Sequence, residues 1–143
     1  MPVWKFAAAV ALLALLLAGC GRDDPQAALT SAAKSLQDSI ENKDTTRLMQ
    51  SIHNDFSANR QLDRDWVRRT AALMFLRHRN VRVIAVNSRS WIDPIYTDKG
   101  YSEAQVALAG AEGLLPERLG HHQVRLEWWL SDGEWQLARL SWE

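Results

Sequence analysis

The periodicity of the chain changes once, near Asn80, and that change limits the folds open to it. Before Asn80 the apolar residues recur every three or four positions, the spacing of a helix face. After it they recur every second position, the spacing of a half-buried strand. Helices first and strands afterwards imply an α+β architecture, with the helices gathered on one face of an antiparallel sheet.

Capping residues divide the helical part into three. Asp24-Pro25 reads as an N-cap followed by proline in the first turn, where its missing N–H costs nothing. Leu29, Ala32, Ala33, Leu36 and Ile40 then define a first helix over 25–42. Asn42-Lys43 breaks it, and Asp44 caps a second helix with Leu48, Met49, Ile52 and Phe56 on one face, ended by Ser57-Ala58-Asn59. Asp63 caps a third, Asp65 to about Arg79, with Trp66, Thr70, Leu73 and Met74 on its stripe. Its early acids and late Arg77, His78 and Arg79 suit the helix dipole.

The strand part is punctuated by turn residues. Residues 81–92 form a long alternating strand, broken by Asp93-Pro94, and residues 97–100 form a turn. Residues 101–110 alternate again, with Ala104, Val106 and Leu108 on one face. A loop follows over 111–121. Residues 124–142 read as a hairpin about Asp132-Gly133. A two-residue turn sets Leu130 against Trp135 and Trp128 against Leu137. Leu140 and Trp142 then have the other parity: a bulge near Ala138-Arg139 would restore them to the apolar face, and without one they would join Trp129 on the outer face. The expected sheet has about four strands.

The amino terminus reads differently. Lys5 precedes thirteen apolar residues, Phe6 to Ala18, and charged residues follow. Thirteen helical residues span about 20 Å, less than the ~30 Å of a bilayer core, so this run fits a secretory signal better than a permanent span. Cys20 is the one cysteine of the chain, which leaves no disulfide. Leu17-Ala18-Gly19-Cys20 resembles the lipobox of bacterial lipoproteins. The resemblance implies cleavage between Gly19 and Cys20, acylation of Cys20, a short tether over 20–24, and a domain over 25–143. Two or more acyl chains anchor a protein stably. Gly21, where aspartate tends to retain such proteins at the inner membrane, favours the outer membrane, facing the periplasm.

The formal net charge of zero conceals two poles. Residues 60–89 carry eight arginines against Asp63 and Asp65, and residues 90–143 carry nine acids against four bases. Surface ion pairs between the poles are worth little each. The neutral total and the envelope address disfavour nucleic acid as a partner. Hydrophobic residues make up 47% of the chain and include seven tryptophans, enough for a real core rather than a disordered tether.

Three stretches, IHNDFSAN at 52–59, LDRDWVRRTAALMFLRHRNVRVIAV at 62–86 and GEWQLARLSW at 133–142, resemble the nuclear-transport-factor-2-like superfamily, also called SnoaL-like or cystatin-like. The resemblance implies a cone with a pocket between helices and sheet. The paired strands usual between its second and third helices are reduced here to at most a vestige at 57–62. Enzymes of this superfamily, isomerases and hydrolyases among them, use Asp or His as a base inside the cone. His53 and Asp55, and Asp93 and Tyr96, are the residues of the right type. Many members are non-catalytic binding or assembly modules, and fold alone does not choose.

The other candidates are weaker. His121 and His122 point to opposite faces of a strand and make poor joint metal ligands. There is no phosphate-binding glycine loop, no Ser-His-Asp signature and no sign of a cofactor. Arg60, Arg64 and Arg68 make a basic stripe for an anion if the third helix starts early. Trp129 shares an outer strand face with Arg125 and Glu127, where it is either covered by loops of its own chain or marks a contact surface, for instance in a homodimer through the outside of the sheet. These readings favour a lipid-anchored, non-catalytic module that binds a partner or a small ligand. The alternative is a small pocket enzyme.

Overall fold

The computed structural model describes residues 24–110, 113–114 and 122–143. The lipobox, Cys20, the tether up to Asp23 and His121 lie outside them. Three helices open the domain: α1 (Pro25–Glu41), α2 (Thr45–Gln50) and α3 (Arg64–Arg77). Each has the cap that its sequence provides. Asp24, Asp44 and Asp63 accept from the backbone N–H of Gln26, Arg47 and Trp66 at 3.4, 3.0 and 3.0 Å. Between α1 and α2, Lys43 adopts a left-handed φ of 54°. Its ammonium donates to Phe75 O and His78 O, tying this turn to the carboxyl end of α3.

The strands are β1 (Ile52–Ala58), β2 (Leu62–Asp63), β3 (Val81–Ile92), β4 (Lys99–Gly110), β5 (Gly113–Leu114), β6 (His122–Ser131) and β7 (Glu134–Trp142). The sheet runs in the order β2-β1-β7-β6-β4-β3, six strands where about four were expected, with the short β5 paired to β4 off this path. One extra strand, β1, lies where the second helix was read too long, and the other, β2, lies between that helix and the third. That helix stops at Gln50, and Ile52 to Ala58 form β1, which joins β7 in parallel. The expected vestige at 57–62 is thus a full strand and a short antiparallel partner, turned by Asn59 and Arg60 at φ 45° and 64°.

The reason for the misreading is physical. The register of β1 against β7 shifts between Ile52 and Ser57. Its inward residues therefore fall at Ile52, Phe56 and Ala58, all buried, and the first two mimic the i, i+4 spacing of a helix.

The Trp-rich hairpin forms as its residues dictate. Asp132 and Gly133 take φ of 50° and 80°, the left-handed pair that a two-residue turn needs. Leu130 faces Trp135, and Trp128 faces Leu137. The register then shifts so that Glu127 pairs with Arg139, which leaves Ala138 as the bulge. Leu126 and Val124 consequently face Leu140 and Trp142 on the concave side.

The core joins α1, α2, α3 and β1 to the hairpin through Leu29, Leu48, Phe56, Ala71, Trp128 and Leu137. Leu29 lies against Gly100, where an added Cβ would stand 2.7 Å from Leu29 Cδ2. Glycine at this point is what lets α1 seat on β4. Gln26 and Gln37 on α1 donate to Ser90 O and Val83 O, satisfying carbonyls of the edge strand β3. No helix among the described residues is long and apolar enough to cross a membrane.

Candidate functional site

Helices and concave sheet face enclose a cavity of about 690 Å³. Its wall is built by the alternation and periodicity described above. Leu36 and Ile40 come from α1, and Val67, Ala71 and Met74 from α3. Ala104, Val106 and Leu108 come from β4, and Leu137, Leu140 and Trp142 from β7. The bulge at Ala138 therefore matters to the site, because without it Leu140 and Trp142 would face outward. The volume falls in the range of small-molecule sites, and so does the mainly apolar lining.

The ionisable residues at the border of the cavity are Lys34, Arg89, Glu103 and His122, of which Arg89 and Glu103 turn their side chains to the outer face of the sheet. Most are already engaged. Lys34 pairs with Asp38 at 2.6 Å, and Arg89 pairs with Glu103 at 2.6 Å. The hydrogen bond to Asp38 holds the Lys34 pKa above its ordinary value. His122 Nδ1 lies 3.1 Å from Glu143 O. No convergent acid and base face one another here, and the described residues hold no cluster of three metal-ligating side chains.

None of His53, Asp55, Asp93 or Tyr96 lines the cavity. His53 and Asp55 sit on β1 rather than at a helix end. His53 packs edge-on against Trp129, ring centroids 4.9 Å apart, and its Nδ1 accepts from Asp55 N at 3.0 Å. Asp93 serves the turn after β3. Its carboxylate accepts from Ile95 N and Tyr96 N at 2.8 and 2.9 Å, and from Tyr101 Oη at 3.2 Å. These bonds, the Tyr96 N–H first, hold its pKa below the usual carboxylate value. Burial, and then the bond to Asp93, raise that of Tyr101. Tyr96 is 60% exposed.

The basic stripe does not form. Arg60 lies in the β1–β2 turn, ahead of α3. Arg64 turns inward to donate to Met49 O and Ile52 O at 2.8 and 3.3 Å. Arg68 pairs with Asp65 at 3.1 Å. Arg60 instead borders a second hollow together with Arg125, Glu127 and Arg139.

Trp129 does lie on the outer face, with contacts from its own chain. Its indole N–H donates to Glu127 at 2.8 Å, and the Arg139 guanidinium stacks 4.7 Å from the ring centroid. A second stack runs beside it from Arg89 over Trp91, to Tyr101, to Arg125, at 4.8, 5.6 and 5.4 Å.

Sequence reasoning missed a polar cluster at the cavity wall, formed by Ser90, the buried Ser102 and Trp128. Strand alternation places Ser102 with Ala104 and Val106, but nothing in the sequence brings the serines and the indole together.

No protein-family model and no curated protein matches the sequence. Solved structures do. Bdellovibrio bacteriovorus Bd1075 superposes with a TM-score of 0.68 at 10% identity, over 80% of this chain and 38% of that one. This chain thus spans well under half of the Bdellovibrio protein. An NTF2-like protein from Cytophaga hutchinsonii gives 0.61 at 16% identity, over 79% and 92% of the two chains. A protein of unknown function with a cystatin-like fold from Nostoc punctiforme gives 0.60 at 14%, over 81% and 87%. The domain has the NTF2-like, or cystatin-like, fold.

Proposed function

We propose that this chain is a lipid-anchored protein of the bacterial envelope whose cone binds a small, mainly apolar ligand without transforming it. The observation that carries the reading is the cavity of about 690 Å³, walled by apolar side chains and free of the four acid–base candidates. An apolar cavity of this size stabilises a ligand by removing its surface from water, at roughly 25 cal/mol per Å² buried. Catalysis of the isomerase or hydrolyase kind needs a tuned acid and base within reach of one substrate, and the wall supplies no such pair.

The anchor rests on the lipobox-like residues ending at Cys20, and Gly21 favours the outer membrane. Self-association through the outer face around Arg125, Glu127 and Trp129 is part of the same proposal. It is read from the mass of the native particle.

Native mass spectrometry of the gently purified protein tests the ligand. A co-purified molecule released on unfolding, and returned chemically unchanged after incubation, is the expected result. A released molecule that the protein converts would establish the pocket-enzyme reading instead, with His122 as the first residue to replace. Absence of any bound molecule, together with failure to take up apolar probes, would reject both.

A further inference from the structure

Among the described residues that line the cavity, Ser102 is the one buried polar side chain, 6% exposed. It faces Ser90 across the β3–β4 pair, and the two Oγ atoms are 2.8 Å apart. From behind, the fully buried Trp128 donates its indole N–H to Ser102 Oγ at 3.0 Å. The two serines reach the cavity, and the indole does not.

Counting protons through this cluster gives an excess. An indole N–H donates and cannot accept, while each hydroxyl donates once and accepts twice. Three protons are thus available for two hydrogen bonds. If Ser102 donates to Ser90, the Ser90 proton is unspent. If Ser90 donates to Ser102, the Ser102 proton is unspent. Neither hydroxyl makes a further hydrogen bond among the described residues. In both arrangements one O–H is left facing the cavity, where an acceptor brought by a ligand takes the place of water.

We infer that the Ser90–Ser102 pair is the recognition point of the cavity, and that the ligand is an uncharged apolar molecule bearing a carbonyl or similar oxygen that accepts this proton. The inference rests on the ligand-binding reading above and gives that ligand its chemical class. Charge is excluded by solvation: a single hydroxyl donor does not replace the water shell of an anion. Lys34 at the rim is exposed and already paired, and Arg89 is paired on the outer face. Of the other polar side chains on the wall, Gln37 donates to Val83 O and Thr30 to Gln26 O, while Thr70 and Ser88 are less buried than Ser102.

The test uses two probes of matched shape, 2-acetylnaphthalene and 2-isopropylnaphthalene, which differ by a carbonyl oxygen. Binding to the full-length protein in lipid nanodiscs is measured by equilibrium dialysis against empty nanodiscs. The variant that removes the donors of this cluster is Ser90→Ala/Ser102→Ala/Trp128→Phe, since Trp128 N–H would otherwise remain as a donor. Partition into lipid is common to both proteins and cancels in the ratio of the two Kd values. The preference for the ketone should fall roughly 3- to 10-fold in the variant, the effect of one uncharged hydrogen bond.

An unchanged ratio, with both probes still bound, overturns the recognition point and leaves the ligand-binding reading standing. Failure of both probes to bind the unmodified protein overturns the two together. If the triple variant does not fold, the infrared carbonyl stretch of the ketone bound to the unmodified protein decides. A frequency below that in alkane supports the inference, and an alkane-like frequency refutes it.

Discussion

Replacing Arg64 by alanine separates a structural arginine from an anion-binding one. Its guanidinium donates from Nη2 to Met49 O at 2.8 Å and from Nε to Ile52 O at 3.3 Å. These carbonyls lie where α2 gives way to β1, so the side chain fastens that junction to the start of α3. A hydrogen bond from a charged group contributes about 1.5–3 kcal/mol. The second bond is long and the residue is half-buried, so the pair together is worth about 2–3 kcal/mol. For a domain of this size that corresponds to a Tm about 10 °C lower.

Arg60→Ala and Arg68→Ala are the controls. Arg60 is exposed, and Arg68 makes an exposed i, i+3 pair with Asp65. Each should cost less than about 0.5 kcal/mol. Arg64→Lys should recover only part of the loss, because an ammonium lacks the planar fork that reaches two carbonyls. Thermal unfolding followed by near-UV circular dichroism, with urea midpoints alongside, reads all four variants. Equal losses at positions 60, 64 and 68, or a change below about 0.5 kcal/mol for Arg64→Ala, would refute the reasoning.

Other outcomes follow from the same geometry. Gly133→Ala meets no neighbour within 4 Å yet must hold φ at 80°, so urea unfolding should show a loss of about 1 kcal/mol from backbone strain alone. Asp93 has its pKa lowered in the folded state. Its stabilisation is therefore complete above the ordinary carboxylate value of 3.8 and is lost as pH falls through the lower folded value. Asp93→Asn should flatten that acid limb of the stability profile, and an unaltered limb would contradict the assignment. Cys20→Ala should abolish incorporation of labelled fatty acid and leave the protein unprocessed or free of the membrane; unchanged labelling would rule out acylation at this residue.

How much of this was legible depended on whether local chemistry or distant pairing decided the outcome. Three aspartates were readable as caps because an N-cap needs only its own next turn. The hairpin was readable to its register as far as Leu137; the parity of Leu140 and Trp142 left two outcomes open, and the bulge at Ala138 is the one that forms. β1 was not readable. A register shift against a parallel partner over 80 residues later in sequence spaces its buried residues like a helix. The site candidates failed for a related reason. His53, Asp55, Asp93 and Tyr96 were chosen by chemical type, and the sheet turns them away from the cavity or spends them on a turn. Ser90, Ser102 and Trp128 carried no signal, since they meet only after β3 shifts register between Val86 and Arg89 and three strands align.

Filling the cavity tests the central claim most directly. Val106 is half-buried on the concave face of β4 and lines the cavity. Val106→Trp should project an indole into that space. Dialysis of 2-isopropylnaphthalene against the unmodified protein and this variant, with unfolding curves to show that both are folded, gives the comparison. The account predicts saturable binding to the unmodified protein and a loss of at least 10-fold in affinity for the folded variant, the order expected when most of an apolar ligand's burial is blocked. Equal binding by the two folded proteins would show that the probe sits elsewhere and would contradict the cavity as the functional site.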